Sequence, residues 1–154
     1  MDPVIRPGWG MGELRLGMSY DEVRRAVGEP EQTEEDDEGG TLRIGWHYDA
    51  LELSLYFDED AGGLLTLIIS ESARTQLGGA FPIGMRVEAA AKALSSIGAL
   101  ERDDEVSGDG LEFHSLAEAG VGLLFADGVC ESIDIAAFKD SNGEYVWPEA
   151  ALPS

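Results

Sequence analysis

Apolar positions recur twice along the chain in the same order. Residues 16–32 read LGMSYDEVRRAVGEPEQ and residues 83–101 read IGMRVEAAAKALSSIGALE, with Gly84 following Gly17 by 67 residues. In the first stretch Tyr20, Val23 and Val27 share one helical face. Ser19 with Glu22 three residues on makes a capping box, and Gly28 ahead of Glu29-Pro30 stops the helix. In the second, Val87, Ala90, Ala91 and Leu94 form the stripe and Gly98 ends it, without a Ser cap. After each predicted helix comes an acidic stretch and then three runs with strand character: TLRIGWHYD, LELSLYFD and LLTLIISES, then GLEFHSL, GVGLLFAD and VCESIDIAAF. Alternation is clearest in the first run, where Leu42, Ile44, Trp46 and Tyr48 face one way and Arg43, Gly45 and His47 the other. FDEDAGG and FADG join the second run to the third in each copy, and Asp127-Gly128 is a hairpin signal.

These patterns predict an α+β fold of two tandem repeats, each a helix on a three-stranded antiparallel meander. The two meanders would form one curved antiparallel sheet with helices on one face. Residues 1–75 make the first repeat and 76–154 the second with a C-terminal tail, together one compact unit. In that tail Asn142-Gly143 predicts a turn, and Tyr145 and Trp147 are expected to dock on the body.

GMSYDEVRRAVGEP followed by GWHYDALELSLYFDEDAGGL resembles the SmpA/OmlA pattern of outer-membrane assembly lipoproteins: a Gly-Met-Ser helix start, a Gly-x-Pro stop, a Trp-x-Tyr strand and a Phe–Asp–Gly hairpin. The tandem arrangement is similar to the β-lactamase inhibitory proteins, which carry two helix-plus-sheet repeats and bind an enzyme on a concave sheet. The likeness spans residues 12–70 and, more loosely, 81–136. It implies a scaffold that presents a sheet to a protein partner.

Charge sharpens that expectation. Among 154 residues, 31 are acidic and 10 basic, a net charge of −21, while 44% hydrophobic content supplies a core. Such a surface repels nucleic acid and anionic membranes and attracts cationic partners, although charge of this kind also serves solubility alone. Seven of the ten residues from Glu29 to Glu38 are acidic, including the run Glu34, Glu35, Asp36, Asp37 and Glu38. ERDDEVSGDG follows the second helix in the same way. Both read as solvated loops flanking the sheet.

Candidate chemistry is sparse. The single Cys130 leaves no intrachain disulfide and no thiolate cluster, and its strand setting predicts a buried thiol. The N-terminus shows neither a continuous apolar h-region nor a lipobox cysteine, and no run approaches the ~18 apolar residues of a membrane span. A cytoplasmic protein is expected. No HExxH, CxxC, GxSxG or Walker pattern occurs. His47 and His114 fall on corresponding strands, where a metal could recruit Glu112 or Asp134 as a third ligand; two solvated strand histidines account for them more simply. Asp58, Asp60 and Gly62 alternate as in a calcium loop, yet Ile69 stands where the bidentate Glu belongs, so a hairpin explains them. No metal and no cofactor are expected.

If the apolar strand positions pack under the helices, the other face carries Arg43, His47, Ser54, Tyr56, Glu112, His114 and Asp134. Mixed polar and aromatic character of this kind suits protein recognition. The expectation is an acidic, non-enzymatic inhibitor of a basic protein, an immunity protein against a bacterial toxin, with a nuclease one candidate target, itself a monomer or weak dimer. The alternatives are a small-molecule or metal-binding module on the sheet face, and an assembly factor of the lipoprotein type.

Overall fold

Period-two alternation, more than helical periodicity, shapes this chain. The computed structural model describes residues 1–149, without the side chains of Glu38, Val106 and Ser107. It opens with β1 (Val4–Arg6), β2 (Gly10–Met11), β3 (Leu14–Arg15) and α1 (Tyr20–Val27). The first meander follows as β4 (Gln32–Glu38), β5 (Thr41–Tyr48), β6 (Leu53–Asp58) and β7 (Leu64–Ser70). After β8 (Gln76–Leu77) and α2 (Val87–Ala93) comes the second: β9 (Glu101–Gly108), β10 (Leu111–Leu116), β11 (Val121–Ala126) and β12 (Val129–Ala136). A short ribbon of β13 (Phe138–Lys139) and β14 (Tyr145–Val146) completes the order.

Eight strands form one antiparallel sheet in the order β4-β5-β6-β7-β12-β11-β10-β9. Its two halves meet where β7 pairs with β12, Ile68 standing opposite Ile135. Strand makes up 47% of the described residues and helix, short 3-10 turns included, 16%, which overturns the expected α+β repeat with helices on one face. The protein is mostly β, and its two α-helices span only eight and seven residues among those described. Two features produce the difference. The acidic stretches read as loops are strands β4 and β9, the two edges of the large sheet, so each meander has four strands. The covering layer, moreover, includes a second sheet, β3-β2-β1-β8, beside the helices.

The repeated Gly-Met has a specific structural use. Gly17 and Gly84 both adopt φ +97°, a backbone region costly for any residue with a Cβ. Gly17 N–H donates to Leu65 O at 2.8 Å and Leu65 N–H to Met18 O at 2.9 Å. In the second half Gly84 N–H donates to Cys130 O at 2.9 Å and Cys130 N–H to Met85 O at 2.8 Å. The same two-bond clip thus ties the approach to each helix to the last strand of its meander.

The core lies between the large sheet's inner face and this covering layer. Leu55, Phe57, Ile68, Leu123, Phe125 and Ile133 are fully buried from the sheet side, and Leu14, Leu16, Val23, Leu77, Ala90 and Leu94 from the other. Burying each of these side chains other than that of Ala90 contributes about 1.5–3 kcal/mol. In α1 the Ser19 hydroxyl accepts from Glu22 N–H at 3.3 Å, while Glu22 Oε1 accepts from Ser19 N–H at 3.1 Å, completing the capping box. Tyr20 leaves this helix to join Trp46 and Phe57, with ring centroids 4.5–5.2 Å apart. Asp127 and Gly128, at φ +49° and +84°, make the two-residue turn of the β11–β12 hairpin.

Candidate functional site on the open face

Alternation sends the polar set of β4–β6 to the face away from the core. Register fixes the neighbours: His47 opposite Ser54 and Gln32, Gly45 opposite Tyr56 and Glu34, Arg43 opposite Asp58 and Asp36. The His47 ring sits between Ser54 Oγ, 2.9 Å from Nδ1, and Glu34 Oε1, 2.8 Å from Nε2. A carboxylate only accepts, so Nε2 carries the proton in the neutral tautomer and Ser54 donates to Nδ1. Tyr56 Oη donates to the same Glu34 oxygen at 3.3 Å. The Arg43 guanidinium lies 5.2 Å above the Tyr56 ring, and the His47 ring meets that ring edge-on at 6.0 Å. Burial, and after it Glu34, pushes the Tyr56 hydroxyl pKa up.

Glycine makes room for this cluster. A Cβ on Gly45 would stand 2.9 Å from Glu34 Cγ and 3.0 Å from Tyr56 Cε1, so both side chains lie down over the glycine. The second half repeats the device on another strand. Phe113 of β10 lies across Gly122 of β11, where a Cβ would meet Phe113 Cζ at 2.3 Å and Asp134 Oδ1 at 2.7 Å. Between the two notches runs an apolar band, Leu67 and Ile69 on β7 and Leu124 on β11, all half-buried and outside the core cluster. Asp134 interrupts that band, placed between Ile69 and Gly122 by register. Burial raises its carboxyl pKa to about 6, although the Gly122 N–H partly opposes the shift.

The C-terminal ribbon closes one end of the face. Tyr145 Oη donates to Asp58 Oδ2 at 2.8 Å and stacks on Trp147 at 5.0 Å, while Lys139 lies 4.8 Å above the Tyr145 ring. A cleft of about 360 Å³ separates ribbon from sheet, lined in part by Thr41, Asp58, Asp60 and Glu144. Asp58 Oδ1 accepts from Asp60 N–H at 3.0 Å, the turn chemistry of the DEDAGG hairpin.

Of the residues singled out from sequence, Arg43, His47, Ser54, Tyr56 and Asp134 share the open face. Glu34 joins them from the edge, with Asp36 on the same side of β4. Glu35 and Asp37 alternate to the opposite side of β4, and the Glu38 side chain lies outside the described residues. Glu112 and His114 correct the expectation. Leu116 is buried in the core, and parity along β10 turns His114 and Glu112 inward with it, opposite Leu123 and Phe125. His114 is 7% exposed, packs edge-on against Phe125 at 5.1 Å, and leaves Nε2 without a hydrogen bond, 3.6 Å from Glu112 Oε1. The two histidines therefore occupy opposite faces of the sheet and cannot share an ion. Among the described residues no group of three His, Cys, Asp or Glu is placed to hold a metal. Sequence reading missed Glu34's role as the anchor of the His47–Tyr56 cluster, and missed Phe113; the pairing of β4 with β5 supplies the first and Gly122 the second.

No family model, curated protein or solved structure matches this chain. Nor is any helix of the described residues long and apolar enough to cross a membrane.

Proposed function

We propose that the chain binds a basic protein through the open face of the large sheet and inhibits that partner by covering it, as an immunity protein does a toxin. The observation that carries the reading is the face itself: an eight-stranded surface with a preorganised Glu34–His47–Ser54–Tyr56–Arg43 cluster beside an apolar band. Aromatic and arginine side chains already held by neighbours lose little freedom on binding, which is the character of interface anchors. Net charge of −21 supports a cationic partner, and nuclease toxins are cationic because they bind phosphate.

Ser54, His47 and Glu34 resemble a nucleophile, base and orienting acid in their hydrogen bonding. Ser54 lies on β6 and His47 on β5, interior strands whose backbone N–H groups are committed to the ladder, with Glu34 reaching in from the edge strand β4, so the face offers no oxyanion donors beside Ser54. Recognition accounts for this geometry better than acyl transfer does. The test is binding of the purified protein to the product of the adjacent gene, together with rescue of cells from that product's toxicity. Tight binding with rescue supports the reading, and binding without rescue removes the inhibitory part.

A further inference from the structure

The second half of the open face holds a carboxylate in an unusual position. Asp134 lies at the seam between the two meanders, flanked by Ile69 and Gly122, with Ser132 and Ala136 as its neighbours along the same face of β12. None of these is charged. Among the described residues no lysine, arginine or histidine makes an ion pair with it. Gly122 allows Phe113 to reach over the strand until its ring end and the Asp134 carboxylate converge on the same small volume. Asp103 stands opposite Phe113 on β9 and adds negative potential beyond the ring.

We propose that Asp134 and Phe113 form a receptor for an arginine side chain of the basic protein partner, the carboxylate pairing with the guanidinium and the ring lining its flank. The inference rests on the partner reading above and deepens it to one contact. The carboxylate is half-buried at the seam between Ile69 and Gly122, and that burial raises its pKa. An incoming cation therefore restores an interaction the fold withholds, at little further desolvation of the acid. Guanidinium is favoured over ammonium here. It is planar and weakly hydrated, and it combines an aromatic contact with a two-point carboxylate pair, whereas lysine would have to shed a tightly held water shell against Ile69 and Phe113.

The test needs no partner protein, so its failure is separate from failure of the partner reading. Isotope-labelled protein is titrated with N-acetyl-arginine amide in 150 mM NaCl at pH 7.5 and followed by backbone amide and carboxyl resonances. Saturable shifts are expected at Ile69, Phe113, Gly122 and Asp134. N-acetyl-lysine amide should bind at least fivefold more weakly. Asp134→Asn, which keeps the shape and the acceptor for Gly122 N–H, should abolish the shifts, and Phe113→Leu should weaken them several-fold, each variant checked for retained amide dispersion. Equal response to both probes, shifts that follow β4 and β9 instead, or an unchanged titration in Asp134→Asn would overturn the assignment.

Discussion

Phe113 lies across Gly122 on the neighbouring strand so closely that a single added methyl group would stand 2.3 Å from its ring. Gly122→Ala must therefore displace the ring, and overpacking of this kind costs about 1–3 kcal/mol. Urea unfolding should show that loss in Gly122→Ala and a much smaller one when Phe113→Ala is already present. Equal losses in both backgrounds would mean that the ring does not govern the notch.

Asp134 gives a pH dependence of known sign. Its folded pKa, about 6, lies above the ordinary value of 3.8, so the folded state holds the proton more tightly than the unfolded state. This group's contribution to stability then falls as pH rises from about 4 to about 6 and is constant above. Asp134→Asn should consequently be more stable than the parent by about 1–3 kcal/mol at pH 7, with the difference vanishing near pH 4. Unfolding of both proteins at the two pH values measures it. A variant less stable at pH 7 would show that the carboxylate is satisfied where it stands.

The edges of the large sheet are acidic for a reason the fold makes visible. An edge strand of seven residues such as β4 offers unpaired backbone groups to another copy, and like charge discourages that pairing. Replacing Glu34, Glu35, Asp36 and Asp37 by their amides should yield concentration-dependent self-association in sedimentation velocity, absent from the parent. A variant that stays monomeric would assign those charges to the partner alone.

The His47 and Glu34 side chains are 23% and 49% exposed, so the contact between them contributes at most about 1 kcal/mol to stability. His47→Ala should leave the unfolding midpoint nearly unchanged while loosening Tyr56, visible as rotamer averaging of its ring signals. A midpoint loss of several kcal/mol would make the cluster structural.

Six of the eight long strands were legible because apolar alternation writes them directly. β4 and β9 were not: Gln32–Glu38 and Glu101–Gly108 carry residues with weak strand preference, and only pairing with β5 and β10 makes strands of them. The strands of the small sheet run two or three residues, too short for any period to register. The repeated Gly-Met was visible as a pattern, whereas its clip to Leu65 and Cys130 is a long-range contact that periodicity cannot encode. On the open face, Arg43, His47 and Tyr56 followed from parity in β5 and β6. His114 did not, because Phe113 and Leu116 give opposite signals in β10 and only the burial of Leu116 decides between them.

Partner-binding kinetics test the central claim most directly. Association of the adjacent gene's product should be steered by charge and weakened by salt, whose screening length is ~8 Å at physiological strength. Dissociation should report the anchors on the sheet. Neutralising Glu34, Glu35, Asp36 and Asp37 should slow association and flatten its salt dependence. Tyr56→Ala should speed dissociation by the equivalent of about 1–3 kcal/mol. Absence of binding, or binding with a dissociation rate untouched by Tyr56→Ala and Asp134→Asn alike, would contradict recognition by the open face.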